Sequence, residues 1–232
     1  MRRVLNIGLP LLALVLVAIG GYWGLVLAPT ERMMGDVYRI MFVHVPSAMM
    51  ALLAPTVTCF ASLTYLLKSS KRADALAEAS AEACVVLATL CLATGSIWGK
   101  PTWGVWWTWD PRLTSVAILW IAFIGYFALR KFVDDAERRA TWSAVTAIII
   151  SVDVPITYFS VKWWNSLHQM QSNPNTVSAD IAAPLRLNIT AYFVTFLAIL
   201  WTRYRIARDE QAREPSAPSA PSGATVLRRA TS

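Results

Sequence analysis

A chain of 232 residues, 56% hydrophobic and 15% charged, is too apolar for an ordinary soluble domain, in which about a quarter of the residues carry charge. Its formal charge of +7 would suit nucleic acid, but basic residues collect in the inner loops of membrane proteins, and that reading is preferred. The length is that of one domain, and several spans of about 20 residues each leave no room for a separate soluble enzyme domain, so the expected fold class is an all-α polytopic membrane protein.

Six apolar stretches of near-spanning length follow in order: 4–27, 45–67, 81–98, 113–129, 140–161 and 181–201. Arg2 and Arg3 give the first the look of a secretory signal, but its apolar run is longer than such a signal needs and five spans follow, so it is read as a retained helix. Gly20 and Gly24 form one GxxxG, a modest helix-contact signal. Pro10 and Pro55 should kink their helices without breaking them. Cys59, Cys84 and Cys91 lie in apolar runs, with neither C-x-x-C nor C-x-x-C-H, and read as packing residues.

With both termini cytoplasmic, the inner segments hold 15 of the 21 Lys and Arg residues. The outer segments hold six, namely Arg32, Arg39, Lys100, Arg112, Lys162 and Arg186. The six-helix domain is expected over 1–208. Residues 209–232, biased toward Pro, Ser and Ala, are expected to be a disordered cytoplasmic tail.

The outer loops carry the chemistry. Trp98, Trp103, Trp106, Trp107 and Trp109 crowd the second, and Trp163 and Trp164 sit in the third, so seven of the 11 tryptophans fall on one side. An interfacial aromatic belt should decorate both sides; the asymmetry favours a binding platform. Gly99, Pro101 and Gly104 argue against one long helix here, whereas Trp103, Trp106 and Trp107 at i, i+3 and i+4 predict an aromatic face on a short interfacial helix, suited to a large, flat, apolar ligand. Asp110 before Pro111 reads as an N-cap with proline at the first helical position, a role preferred over direct ligand contact.

The chain has two histidines, His44 in YRIMFVHVP and His168 in VKWWNSLHQ, and this topology puts both outside, flanking the tryptophan loop. Either alone reads as an ordinary interfacial polar residue. Together they are too few for a zinc site, which takes four protein ligands or three and water. Haem iron asks the protein only for axial ligands, and two imidazoles over an aromatic floor meet that need. Haem propionates call for cations, and Arg39, Lys100, Arg112, Lys162 and Arg186 are the outer candidates, though several could instead meet lipid headgroups. Asp153 in SVDVPITYFS is an intramembrane carboxyl open to two readings, a proton path or satisfaction of backbone groups freed by Pro155; the second is preferred.

The motif WGVWWTWDPRLTS resembles the tryptophan-rich WWD signature of the haem-handling protein family, and YRIMFVHVP and SVKWWNSLHQ resemble that family's two histidine segments. The resemblance runs from about Tyr38 to the end of the sixth span, with three separated motifs in the right order. Six spans fit the family's short members better than its larger haem lyase components. The resemblance implies that His44 and His168 are axial ligands and that Trp103, Trp106, Trp107, Trp109 and Asp110 hold haem and meet the recipient. It also implies haem b as transported cargo, a bacterial inner-membrane location with the site facing the periplasm, and hand-over to a haem chaperone, cytochrome c maturation protein E. Cytochrome c maturation proteins A, B and D are the further partners it implies, the first two forming an ATP-driven machine.

Two rivals are weaker. An ABC-type permease subunit would need its ATPase on another chain, since GSIWGKP is no Walker A sequence, and Asp153 alone is thin support for a midplane substrate site. An enzyme, a transmembrane b-type cytochrome, would need about four axial ligands at two depths. The chain is therefore expected to bind and present rather than to catalyse.

Overall fold

The computed structural model describes residues 2–168 and 178–213, with side chains from Leu5 onward. Seven α-helices follow in order: α1 (Arg2–Tyr22, continued by a π turn, Trp23–Leu27), α2 (Met41–Lys68, preceded by a 3-10 turn, Asp36–Ile40), α3 (Lys71–Trp103), α4 (Pro111–Phe132), α5 (Ala136–Ser151), α6 (Asp153–Trp163) and α7 (Ala179–Arg213). They make six helices or helix pairs long and apolar enough to cross a membrane, α5 and α6 together forming the fifth. Ile7, Leu14, Ile121 and Ile149 are each more than half exposed on the outside of this bundle. A soluble protein could not carry so much outward apolar surface, whereas in lipid it is the solvated surface.

Local chemistry explains the joints. Ser69 takes the left-handed conformation after α2, and Ser70 caps α3 by accepting from the Ala73 N–H. Alanines 73, 75, 77, 79, 81, 83 and 88 are buried along α3, and such small side chains let neighbouring backbones approach closely. Leu119, Phe123 and Tyr126 of α4 and Phe196 of α7 fill the centre beside Met50 and Cys84. All three cysteines are free, and Cys84 and Cys91 are buried, as packing residues should be.

The GxxxG pair acts as a contact. Asn188, buried on α7, donates from Nδ2 to Gly20 O at 2.8 Å. A Cβ at Gly24 would lie 2.6 Å from the Phe42 ring. Pro10 and Pro55 sit inside unbroken helices.

Two expectations need correction, and the fifth span, present as expected, is interrupted once: α5 stops at Ser151 and α6 starts at Asp153, because Pro155 has no N–H for the carbonyl four residues back and its ring crowds that turn. The third helix extends well beyond 81–98, to Lys71 at one end and through Gly99 and Pro101 to Trp103 at the other. The last helix runs to Arg213, five residues into the segment read as tail; the expected disorder of 214–232 lies outside the described residues.

At one end of the bundle Arg130 pairs with Asp74 and Glu78, Arg203 with Glu82, and Trp201 Nε1 donates to Asn6 Oδ1. The connections containing 28–35, 104–110 and 164–168 lie at the other end, where His44 meets Trp98 and Trp103 meets His168.

Candidate functional site

His44 lies one turn inside α2, packed against α3. Its Nδ1 is 3.1 Å from both Cys91 O and Thr94 Oγ1. A carbonyl only accepts, and the Thr94 hydroxyl spends its own proton on Leu90 O at 2.7 Å. Nδ1 therefore carries the hydrogen, and Nε2 is left with its lone pair, the form a metal requires. Gly95 makes the room: a Cβ there would stand 2.9 Å from His44 Cε1. The Trp98 ring meets His44 edge-on at 5.7 Å, and its buried Nε1 has no hydrogen-bond acceptor among the described residues.

His168 follows the end of α6, five residues past Trp163, and is held from the tryptophan loop. Asp110 is the hub. Its Oδ1 accepts from the Arg112 N–H at 2.9 Å, capping α4 beside Pro111 as the sequence predicts. Its Oδ2 accepts from Ser166 Oγ at 2.8 Å and from the Leu167 N–H at 2.7 Å. His168 Nδ1 lies 3.4 Å from Asp110 Oδ1, an electrostatic contact rather than an aligned hydrogen bond. Burial works against the Asp110 carboxylate, but the hydrogen bonds from Ser166, Leu167 and Arg112 hold its pKa below the usual value. Burial pushes the His168 imidazole below its ordinary value, Asp110 pulling it up and Arg112 down. The neutral ring can direct Nδ1–H at Asp110 and keep the Nε2 lone pair free. His44, His168 and Arg112 are near enough to interact electrostatically.

The tryptophans divide into two sets. Trp98 and Trp103 are half-buried, and Trp103 meets the His168 ring edge-on at 5.1 Å. Trp106, Trp107 and Trp109 are exposed, Trp109 to 82%, as are Trp163 and Trp164. The predicted short helix through Trp103, Trp106 and Trp107 does not form. Gly104, at φ +80°, sends its N–H to Lys100 O and ends α3, and 104–110 continues as an irregular loop held by Ser96 Oγ on Trp106 O at 2.7 Å. Trp107 packs edge-on against Trp109 at 5.8 Å, and Trp163 stacks on Phe159 at 5.4 Å.

The cationic candidates are mostly engaged by the fold. Arg39 Nη1 donates to Leu25 O and Val26 O, and Nη2 pairs with Asp36. Lys100 Nζ donates to Gly104 O. Lys162 Nζ lies 5.7 Å from the centre of the Phe159 ring. Arg186 is exposed on α7. Arg112 spans α4 and α6, with Nε 3.5 Å from Thr157 O and Nη2 3.2 Å from Tyr158 O, and it is the one of these cations whose charge both histidines feel.

Sequence reasoning missed the cradle around His44 and the Asp110 hub. Cys91, Thr94 and Gly95 fall at i, i+3 and i+4 on α3, one helical face of small residues that could have marked the histidine's place. No local signal links Asp110 to Ser166, 56 residues away.

Comparison with known proteins places this arrangement. Residues 2–217 match the family model described as CcmC: Heme exporter protein C. Among similar proteins, the Heme exporter protein C of Bradyrhizobium diazoefficiens is 38% identical over 189 residues, covering 80% of this chain and 72% of that protein. That of Haemophilus influenzae is 36% identical over 209 residues, covering 88% and 85%. That of Escherichia coli K12 is 32% identical over 198 residues, covering 85% and 81%. With the match running through the six spans, both histidine segments and the tryptophan loop between them, the chain belongs to the Heme exporter protein C family.

Proposed function

We propose that this chain holds haem b as cargo between His44 and His168, against the tryptophan-rich loop, at the periplasmic face of a bacterial inner membrane. There it presents the haem to the chaperone cytochrome c maturation protein E, with cytochrome c maturation proteins A, B and D as further partners. Family membership supports haem handling in cytochrome c maturation. The observation that carries the finer reading is the pair of imidazoles at one end of the bundle, His44 with Nδ1 on the Cys91 carbonyl and Nε2 left for iron, His168 with Nδ1 3.4 Å from the Asp110 carboxylate. The distribution of basic residues along the sequence, 15 in the segments read as inner and six in those read as outer, supports the orientation. The chain acts as a presenter rather than an enzyme: its side chains hold and orient haem, and the bond-forming groups are haem's and the chaperone's.

The test is the absorption spectrum of the detergent-purified chain co-expressed with the chaperone. A six-coordinate haem spectrum is expected, converted or abolished by His44→Ala and by His168→Ala. Unaltered spectra in both variants, or no haem in any of them, would remove the histidines as ligands and bring forward a permease subunit moving haem or another small molecule.

Gly95 gives a second expectation. Gly95→Ala puts a methyl 2.9 Å from His44 Cε1, and the ring is held on Nδ1 by two partners, so it must tilt. Haem affinity should fall by about tenfold, the scale at which a ligand's supporting contacts act. A haem titration followed by absorption measures it; wild-type affinity in this variant would show that the ring has space to yield.

A further inference from the structure

The fifth span is interrupted at one residue, Val152, which itself keeps right-handed helical dihedrals. Beyond Ser151 the chain restarts as α6, only 11 residues long, and α6 leads directly to Trp163, Trp164 and His168. With regular helical hydrogen bonding interrupted at this joint, a second support helps to set the height and rotation of α6. The first turns of α4 supply it at three levels. Furthest from the loops, Ser115 Oγ donates to Asp153 Oδ1 at 2.8 Å. Above it, Arg112 reaches Thr157 O and Tyr158 O at 3.5 and 3.2 Å. At the top, Asp110 gathers Ser166, Leu167 and His168.

Asp153 serves both helices at the lowest level. Its Oδ2 accepts from Thr157 Oγ1 at 3.0 Å, so the carboxyl that grips α4 also fixes the first turn of α6. Thr157 is itself the residue whose carbonyl Arg112 holds, and it is buried, as are Ser115 and Ser160. Pro155, which has no N–H, leaves a carbonyl without its donor, and an accepting carboxylate cannot serve that group; among the described residues Asp153 accepts instead from two hydroxyls. Buried hydrogen bonds of this kind are directional and leave few alternative arrangements.

The geometry points to Asp153 as a positioning residue of the proposed haem site: it registers α6 on α4 and so sets where His168 and Trp163 stand. This inference rests on the reading of His168 as a ligand. Asp153 does not touch haem in this account; it acts through Thr157 and Arg112 on the segment that carries the ligand.

Two measurements on the full chain in lipid nanodiscs test it, one of them independent of haem. Asp153→Leu removes both acceptors, and deuterium uptake across 158–168 should rise several-fold with no haem added. In haem-loaded protein the same variant should shift from six- to five-coordinate, and added imidazole should restore the sixth ligand. Asp153→Asn, whose amide oxygen accepts from one hydroxyl while its NH2 donates to the other, should stay close to wild type in both. If Asp153→Leu does not accumulate, Ser115→Ala breaks only the bond between α4 and α6 and should move both readouts the same way by less. Unchanged uptake, or raised uptake with an unchanged haem spectrum, overturns the positioning role. Asp153→Asn as defective as Asp153→Leu overturns it as well. Raised uptake in Asp153→Leu when even the wild type takes up no haem leaves the tie standing and overturns the haem reading instead.

Discussion

Asp110→Ala is expected to lower haem affinity by roughly ten- to a hundred-fold, the usual cost of removing a residue that orients a metal-ligating histidine. Three things fail at once. The Ser166 hydroxyl and the Leu167 N–H lose their acceptor, so the segment before His168 loses its anchor to the tryptophan loop. The His168 Nδ1 loses the negative charge 3.4 Å away, and with it the preference for the tautomer that leaves Nε2 free. The first turn of α4 loses its N-cap, worth about 1 kcal/mol of stability. The cap term is the smallest of the three for haem, because it changes folding stability without moving the ligand, and thermal unfolding can measure it separately. Asp110→Asn should fall between alanine and wild type, since one amide oxygen cannot replace two accepting oxygens. Ser166→Ala should cost less than either, losing one donor and leaving the Leu167 bond. The measurement is haem titration into purified protein; wild-type affinity in Asp110→Ala would reduce the residue to a helix cap.

How much of this was legible follows from the reach of each signal. The six spans were readable because burial in lipid asks for about 20 apolar residues in a row, a demand that needs no partner. The Asp110–Pro111 helix start was readable because a cap acts over two or three residues. Gly20 and Gly24 were readable as a contact, though not that Asn188 and Phe42 would fill them. The extension of α3 back to Lys71 was missed because charge lowers hydropathy while the helical stripe continues: Asp74, Glu78 and Glu82 recur at intervals of four on one face. The tryptophan helix failed for a different reason. Spacing of i, i+3 and i+4 has meaning only while the helix persists, and Gly104 ends it one residue after Trp103. Pro155 was visible, but its neighbour Asp153 turned out to hold hydroxyls from two helices rather than the backbone groups the proline frees.

The same helix, α3, carries the His44 cradle near one end and a charge cluster near the other. Glu78 and Asp74 both pair with Arg130 of α4, and Gln211 of α7 donates to Asp74. These contacts tie α3, α4 and α7 at the end away from the histidines. Any slip of α4 along α3 would move Asp110 and Arg112 relative to Thr94, Gly95 and Trp98. The cluster and the site are therefore linked through α3 and α4, although no residue is shared.

Arg130→Met should accordingly destabilise the chain by about 3–5 kcal/mol, the cost of leaving buried charges without their partner. The Arg130 side chain is 8% exposed and that of Asp74 10%, too little for water to take over the pairing. An exposed pair would be worth only ~0–1 kcal/mol, so the size of the loss distinguishes a buried network from a surface one. The triple variant Arg130→Met, Asp74→Leu, Glu78→Leu removes the orphaned charges as well, and it should recover most of the loss, since apolar replacements of buried ion networks are often neutral or better. Unfolding of the detergent-solubilised chain, followed by tryptophan fluorescence, gives both numbers. If the triple variant recovers stability yet binds haem more weakly than wild type, the charges serve the register of α3 against α4 rather than the strength of the fold. If it recovers both, the network is interchangeable with apolar packing, and the alignment of the site rests on the contacts within its own end of the bundle. A single-variant loss below ~1 kcal/mol would mean instead that water or Gln211 meets the two carboxyls when Arg130 is gone.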